Sequence, residues 1–208
     1  MATGKFFALE GIDGAGKSTL IRALAKKMEE AGLPCQTTAE PTKNPIGKII
    51  RSILTGQQEG DEKTIAALFL ADRVDHLTNP EYGMLQFLSN GVHVITDRYY
   101  LSSYAYHVPH VSLDWVINAN SICADLKRPD ITFFIDITVE ESLRRLSAGR
   151  DQLDRFENEA RINQVRENYF AAMDKVGNDE KIIIIDGSLP SSEICDLVWF
   201  EMQKLITP

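Results

Sequence analysis

The sequence has 208 residues, of which 44% are hydrophobic and 25% are charged. This length suits one well-packed α/β domain and is small for two, and no apolar stretch approaches the roughly 20 residues needed to span a membrane. With 30 acidic and 22 basic side chains, the formal net charge is −8. We therefore expect neither a membrane partner nor a general nucleic-acid surface, although a local basic pocket can still bind a small anion.

The N-terminal segment and the cysteines indicate a cytoplasmic location. Only four apolar residues lie between Lys5 and Glu10, which is too few for the apolar core of a signal peptide. The cysteines are odd in number, far apart and without C-x-x-C spacing, a pattern that argues against disulfides and zinc. We expect Cys35, Cys123 and Cys195 to be small buried residues in a reducing compartment.

Five short runs predict the strands of a parallel sheet. Most are nearly continuous in apolar residues, as expected for strands buried on both faces. In chain order they are Lys5–Glu10, Pro34–Ala39, Val92–Asp97, Ile131–Asp136 and Lys181–Asp186.

Helical patterns fill the segments between these strands, and a further helix is expected after Asp97. The alternation predicts an α/β doubly wound fold with helices on both faces of the sheet. The helices with predicted bounds are Lys17–Ala31, Pro45–Leu54, Asp61–Asn79, Tyr82–Asn90, Leu113–Cys123, Val139–Ala148, Asn158–Val176 and Pro190–Leu205. Within Asn158–Val176 an apolar stripe predicts a core-facing side: Ile162, Val165, Tyr169, Met173 and Val176.

Residues 11–18 read Gly-Ile-Asp-Gly-Ala-Gly-Lys-Ser, a complete G-x-x-x-x-G-K-[ST] phosphate loop between the first strand and the first helix. The glycines let successive backbone N–H groups converge, and the helix directs its positive dipole end to the same place. Lys17 is expected to reach the β- and γ-phosphates of ATP, and Ser18 to offer its hydroxyl to Mg²⁺. A glycine-rich turn without a ligand is the alternative.

The triplet Asp97-Arg98-Tyr99 follows the third strand, at the sheet edge where ligands bind in open parallel sheets. Asp97 can hold Mg²⁺ through water, and Arg98 can grip phosphate oxygens with two parallel hydrogen bonds. An ion pair that only fixes the loop is the alternative interpretation.

Two further groups can belong to a phosphoryl-transfer site. Phe69 and Arg73 are four residues apart on one helical face, where a ring can stack on a base and a guanidinium can bond its edge, although a helical Phe is more often core. A charged stretch at about 147–157 contains Arg150, which as part of a mobile lid can stabilise transition-state charge and exclude water. A solvated charge run is the alternative there. A GTPase switch is disfavoured because the chain contains no Asn-Lys pair for an N-K-x-D motif.

Together these motifs resemble those of the thymidylate kinases, P-loop enzymes that phosphorylate deoxythymidine monophosphate (dTMP) with ATP. The resemblance covers nearly the whole chain. The matching segments are 11–19 (GIDGAGKST), Glu40-Pro41 with Gly47 and Arg51, 67–73 (ALFLADR), 97–99 (DRY), 102–106 (SSYAY), 128–132 (RPDIT) and 153–157 (LDRFE).

The resemblance implies a role for each site residue. Phe69 would stack on thymine and Arg73 would bond the base edge, with Ser103 and Glu40 in the same acceptor site. Arg51 and Arg98 would grip the acceptor phosphate, Asp13 would lie near the 3′-hydroxyl, and Tyr106 would crowd the 2′ position. The nucleotide donor would contact the whole loop: Gly11, Ile12, Asp13, Gly14, Ala15, Gly16, Lys17, Ser18 and Thr19.

Gly14 stands where some members of the family carry a loop arginine, so the chain resembles the lid-arginine type. Lys17, Arg98, Arg150 and Asp13 would then be the catalytic residues, and Arg155 is a second lid candidate. His107 and Thr42-Lys43 depart from the usual pattern at the rim of the acceptor pocket.

The resemblance implies a cytoplasmic, typically homodimeric enzyme that makes dTDP from dTMP and ATP·Mg²⁺ on the way to dTTP. The apolar residues of Asp61–Asn79 and of the helix after Asp97 can form either a subunit face or core. A related kinase for another nucleoside or nucleotide, and a regulatory ATP-binding module without activity, are the two alternatives.

Overall fold

A computed structural model describes residues 3–108, 110–147 and 155–206. The strands in these ranges are β1 (Phe6–Glu10), β2 (Cys35–Ala39), β3 (His93–Asp97), β4 (Ile131–Asp136) and β5 (Ile182–Asp186). The helices are α1 (Lys17–Glu30), α2 (Pro45–Leu54), α3 (Glu62–Thr78), α4 (Met84–Ser89), α5 (Tyr100–Tyr106), α6 (Leu113–Leu126), α7 (Val139–Ser147), α8 (Arg155–Val176) and α9 (Ser191–Ile206). The predicted strands are all present, and most helix ends lie within a few residues of the predicted bounds.

The sheet is parallel throughout, in the order β2-β3-β1-β4-β5. All five residues of β1 are buried. Because successive side chains of a strand point to opposite faces, both faces of the central strand must be covered by helices. The α/β P-loop kinase fold expected from the sequence is confirmed.

The two edge strands differ from the expectation of strands buried on both faces. In β2 every residue is at least partly exposed, and in β5 Ile184 is 54% exposed despite its apolar neighbours. Each edge strand has only one neighbour, so helices cover it less completely. An apolar run therefore predicts a strand without fixing its position in the sheet.

Local signals explain several boundaries. Asp61 caps α3 by accepting a hydrogen bond of 2.7 Å from the backbone N–H of Thr64. Thr138 likewise accepts from the N–H of Glu141, at 3.2 Å. The α4 helix begins at Met84 rather than the predicted Tyr82, whose hydroxyl instead bonds Asp75 at 2.8 Å.

The predicted core stripe of α8 is confirmed. Val165, Tyr169 and Met173 are buried, and Ile162 and Val176 pack against the same core. Cys123 and Cys195 are buried and Cys35 is partly buried, and all three are free thiols. Among the helices of the described ranges, none has the length and apolarity required to cross a membrane.

Candidate active site

The carboxyl ends of the three strands on one side of the sheet lie in register. Leu9 of β1 and Ala39 of β2 both pair with Asp97 of β3. The residues that follow these strands therefore meet at one edge of the sheet. Strands β2 and β3 lie on one side of β1, and β4 lies on the other. In open parallel sheets, a ligand usually binds at the carboxyl ends of the strands where the strand order changes direction in this way.

Glycines are required at two positions of the phosphate loop (residues 11–18). Gly11 has φ 141°, and a Cβ there would lie 2.6 Å from the carbonyl oxygen of Ile135. Gly14 has φ 79°, and its Cβ would lie 3.0 Å from the carbonyl oxygen of Ser142 in α7. Left-handed backbone and close packing both oppose a side chain at position 14. The loop has little room for an arginine at this point.

Two side chains of α7 support the same loop. Ser142 Oγ donates to the carbonyl oxygen of Asp13 at 2.7 Å. Arg145 donates from Nη1 to Gly14 O at 3.2 Å and from Nη2 to Gly187 O at 3.1 Å, while Glu141 accepts from its Nε at 2.6 Å. Sequence reasoning missed both residues because the helical pattern of α7 gives no sign of what it packs against.

Lys17, the first residue of α1, bends back over the loop. Its Nζ donates to the carbonyl oxygens of Gly11 at 2.9 Å and Ile12 at 3.1 Å. Burial lowers the pKa of Lys17 to about 8, and the positive charge of Arg98 adds to this effect, whereas Asp97 and Asp13 oppose it. Phosphate oxygens can replace the two carbonyls as acceptors and would favour the charged amine.

Ser18 and Asp97, the two residues predicted to hold Mg²⁺, are in contact. The Ser18 hydroxyl donates to Asp97 Oδ2 at 2.8 Å, which joins the start of α1 to the end of β3. Two side-chain oxygens thus lie side by side at the end of the phosphate loop, and oxygen is the ligand atom that Mg²⁺ prefers.

Arg98 is the centre of the site. Its φ is 73°, a left-handed conformation that is uncommon outside glycine. Nη2 donates to Asp13 Oδ1 at 2.6 Å and to the Tyr106 hydroxyl at 3.1 Å, and the guanidinium carbon lies 4.8 Å from the centroid of the Tyr106 ring. Nη1 lies 3.2 Å from the carbonyl oxygen of Gly11. Arg98, Asp13 and Tyr106, predicted to share the acceptor site, are therefore in contact.

A fully buried carboxylate, Glu10, lies behind Arg98 at the end of β1. Its Oε1 accepts from the N–H groups of Tyr99 at 2.8 Å and Ser102 at 3.1 Å. Its Oε2 accepts from the hydroxyls of Ser102 at 2.5 Å and Tyr169 at 3.0 Å. Burial raises the pKa of Glu10, while Arg98 and these hydrogen bonds act in the opposite direction. Sequence reasoning missed Glu10, although an acidic residue closing a buried strand was the available signal.

Arg73 is buried in the acceptor half of the site. Its Nε and Nη2 both lie 2.7 Å from Glu40 Oε2, and its Nη1 donates to Ser103 at 3.0 Å and to Asn120 at 2.5 Å. His76 bonds the other oxygen of Glu40 at 3.0 Å. The predicted residues Glu40, Arg73 and Ser103 are brought together. Asn120 and His76 are additions that only the tertiary structure reveals.

These contacts account for four of the five N–H hydrogens of the Arg73 guanidinium. Among the described residues the second hydrogen on Nη2 has no hydrogen-bond partner, so it can donate to the edge of a bound base. Because Arg73 is buried and paired with Glu40, its guanidinium has a fixed orientation, unlike that of a flexible surface arginine.

The rings of Phe69 and His107 are in contact in this pocket, with their centroids 5.2 Å apart. Phe69 is half-buried, whereas His107 is 5% exposed. Burial, together with the nearby charges of Arg73 and His110, lowers the pKa of His107 to about 4. His107 is thus neutral at physiological pH.

Arg51 lies apart from Arg98. It donates to the backbone carbonyls of Pro41 and Thr42, and Nη1 also lies 3.4 Å from Gly47 O. Asp72 holds the same segment by accepting from the Thr42 N–H at 2.7 Å and from its hydroxyl at 2.6 Å. In the described residues Arg51 and Arg98 share no hydrogen-bond partner, so their joint grip on one phosphate remains a prediction.

The predicted lid, about 147–157, lies mostly outside the described residues. Arg150 falls there entirely, and Arg155 is described only as the first residue of α8.

The all-parallel sheet, the phosphate loop after β1 and Arg98 at the end of β3 define a P-loop kinase. A family model described as thymidylate kinase matches residues 9–198. The chain therefore belongs to the thymidylate kinase family.

Similar curated proteins agree with this assignment. The chain is 39% identical to a probable thymidylate kinase of Pyrococcus horikoshii, over 80% of this chain and 81% of the relative. It is 40% identical to a probable thymidylate kinase of Thermococcus gammatolerans, with the same coverage of 80% and 81%. A thymidylate kinase of Leptospira borgpetersenii is 34% identical over 91% of this chain and 88% of that protein.

Proposed function

We propose that this chain transfers the γ-phosphoryl group of ATP to the 5′-phosphate of dTMP, giving dTDP and ADP on the way to dTTP. Family membership supports the enzyme class. The observation that carries the site assignment is the position of Arg98, which contacts the phosphate loop through Gly11 and Asp13 and the acceptor side through Tyr106. One side chain thus lies between the two substrate halves.

The chemistry requires positioning more than a strong base. An oxygen of the acceptor phosphate already carries the electron pair that attacks the γ-phosphorus, and the bond to the β,γ-bridging oxygen breaks as ADP leaves. Cations placed around this in-line transfer stabilise the charge that spreads over the equatorial oxygens. Lys17 and Arg98 are the described residues placed for this role, and we assign the same role to Arg150 in the lid.

The donor site consists of residues 11–19, with Ser18 and Asp97 as the residues that would hold Mg²⁺. When bound, Mg²⁺ would neutralise phosphate charge and fix the orientation of the triphosphate. Asp13 contributes by holding Arg98 toward the loop at 2.6 Å.

The acceptor site is formed by α3, α5 and the segment after β2. Phe69 would stack on the base, Arg73 and Ser103 would bond its edge with Glu40 behind them, and Tyr106 would exclude a 2′-hydroxyl. Arg51 would reach the acceptor phosphate together with Arg98, by exchanging the carbonyls of Pro41 and Thr42 for phosphate oxygens.

We further propose one domain over residues 1–208, with a lid at about 147–157, acting in the cytoplasm as a homodimer. The three free thiols support a reducing compartment. Among the apolar residues of α3 and α5 that were candidates for a subunit face, Ile65, Leu77, Leu101 and Tyr104 are buried. Leu68, Leu70 and Val74 of α3 are only partly buried. Light scattering of the purified chain tests the dimer.

A substrate panel tests the function. ADP release is measured with ATP and dTMP, dUMP, dCMP, UMP or thymidine as acceptor. We expect dTMP to give the highest kcat/KM and thymidine, which lacks the phosphate, to give almost none. A clear preference for another acceptor would replace dTMP as substrate. ATP binding without turnover on any acceptor would identify a regulatory module instead.

A further inference from the structure

The buried carboxylate of Glu10 receives four hydrogen bonds, about as many as a carboxylate can accept. Its two oxygens receive two backbone N–H groups and two hydroxyls, from Tyr99, Ser102 and Tyr169. The backbone groups can only donate, so they fix Oε1 as an acceptor. The hydroxyls of Ser102 and Tyr169, which contact Oε2, can instead rotate and so change the direction in which their protons point.

The same two hydroxyls also face Arg98. Arg98 Nη1 lies 2.9 Å from Ser102 Oγ and 3.0 Å from the Tyr169 hydroxyl. Each hydroxyl has one proton, and arginine offers only donors. Ser102 and Tyr169 can therefore accept from Arg98 only if their protons point elsewhere. The two hydroxyls lie 2.7 Å from each other, so one can donate to the other, and at least one of the two protons must go to Oε2 of Glu10.

We propose that Glu10 is a positioning residue for the acceptor phosphate, which acts by holding the Ser102 and Tyr169 hydroxyls as acceptors for Arg98. The inference rests on the proposed function, in which Arg98 contacts that phosphate. Glu10 itself lies behind Arg98 and touches no substrate. It determines which way the guanidinium faces, with Nη1 fixed inward and Nη2 turned toward Asp13 and the bound acceptor.

The variant Glu10→Gln tests this directly because it keeps the shape of the side chain. The two backbone donors require an oxygen at the Oε1 position, so the amide nitrogen must replace Oε2. That nitrogen donates to the two hydroxyls. One hydroxyl can still donate to the other across 2.7 Å, but the remaining proton then turns toward Arg98, itself a donor. Arg98 would lose at least one of these two acceptors.

The experiment measures kcat and both KM values for purified Glu10→Gln, with melting temperature as a check on folding. We expect the KM for dTMP to rise on the order of 10- to 100-fold while the KM for ATP changes less than about threefold. A purely structural role would lower the active fraction, and therefore kcat, without moving the KM for dTMP. A folded variant whose KM for dTMP stays within twofold of wild type would overturn the proposal.

The matched control is Asp130→Asn at the opposite end of β1. Asp130 accepts from the Phe6 N–H at 2.8 Å and pairs with Lys127 at 3.0 Å, far along the strand from Glu10. Losing this carboxylate should affect stability alone and leave both KM values unchanged.

Tyr169→Phe provides a second test that does not depend on the folding of Glu10→Gln. It keeps the ring packed on Phe134, with centroids 4.9 Å apart, and removes one acceptor of Arg98. We expect a smaller rise in the KM for dTMP, and in the double variant an effect below the product of the two single effects. An unchanged KM in Tyr169→Phe, or fully multiplicative effects, would contradict the mechanism.

Wild-type turnover separates this inference from the proposed function. If the wild-type chain prefers another acceptor phosphate, the same variants are measured with that acceptor. Failure of the dTMP assignment is then seen in the wild type, whereas failure of the Glu10 assignment is seen only in the variants.

Discussion

Arg98 donates a hydrogen bond of 2.6 Å from Nη2 to Oδ1 of Asp13. This contact joins the end of β3 to the phosphate loop, two segments 85 residues apart in the chain. Asp13 is well exposed on its other side, at 59% of its side chain, whereas Arg98 is only 16% exposed. A bound acceptor can therefore compete with Asp13 for Arg98 without rearranging the core.

Arg98→Lys should impair acceptor binding because one ammonium cannot reproduce the contacts of Nη1 and Nη2. We expect the KM for dTMP to rise by at least about tenfold and kcat to fall by a similar factor. Steady-state kinetics with varied dTMP measure both effects.

Arg166→Lys is the control for this change. Arg166 makes two hydrogen bonds of 2.7 Å to Asp136 at the end of β4, so its replacement should lower stability and leave the KM for dTMP unchanged. Equal kinetics in wild type and Arg98→Lys would remove Arg98 from the site.

Lys17→Ala should lower turnover on the order of 10²- to 10³-fold, because a preorganised cation at the transferring phosphate is lost. Binding of dTMP, measured by calorimetry, should change little, since among the described residues Lys17 donates its hydrogen bonds to carbonyls of the phosphate loop. We expect the same split for Arg150→Ala. Lys127→Ala, at the opposite end of the sheet, serves as the control, and near-normal turnover in the two site variants would refute the assignment.

Arg73→Ala should destabilise the fold by about 3–5 kcal/mol, because it leaves the buried carboxylate of Glu40 without its main partner. Urea unfolding measures this loss. Adding Glu40→Gln should restore part of the stability while dTMP affinity stays low. A double variant that recovers both would show that Arg73 has no direct part in recognising the base.

His107 should make stability pH-dependent. Its pKa is lowered from 6.5 to about 4 by burial, with Arg73 and His110 adding to the effect, so below pH 6.5 the unfolded chain binds a proton that the folded chain does not. The contribution of His107 to the free energy of unfolding is fully present above pH 6.5 and is lost as the pH falls toward 4. At pH 5 the loss is about 2 kcal/mol. His107→Gln should therefore lose less stability than wild type between pH 7 and 5. Parallel unfolding curves for the two proteins would disprove the shift.

The sequence predicted those parts of the site that lie in continuous motifs. The loop at 11–18, the triplet at 97–99 and the pair Phe69 and Arg73 each combine a recognisable spacing with a position relative to a strand or helix. Such local patterns survive folding because the phosphate loop and the strand ends have fixed positions in this fold.

The residues that were missed depend on long-range contacts. Tyr169 was read as part of a core stripe, which is correct for its ring, but its hydroxyl reaches Glu10 from 159 positions away. Asn120 and His76 likewise gain their roles only by packing against Arg73 and Glu40. Periodicity shows which side of a helix is buried, but it does not show which polar atom of another segment that side will contact.

Ser102 and Ser103 are consecutive in α5, yet they support different arginines: Ser102 accepts from Arg98 and Ser103 from Arg73. A displacement of this short helix would disturb recognition of the base and of the acceptor phosphate at the same time. For inhibitor design, this means that a thymine-like fragment and a phosphate-like fragment should not behave as independent building blocks. Occupying one subpocket should already change the affinity that the other offers.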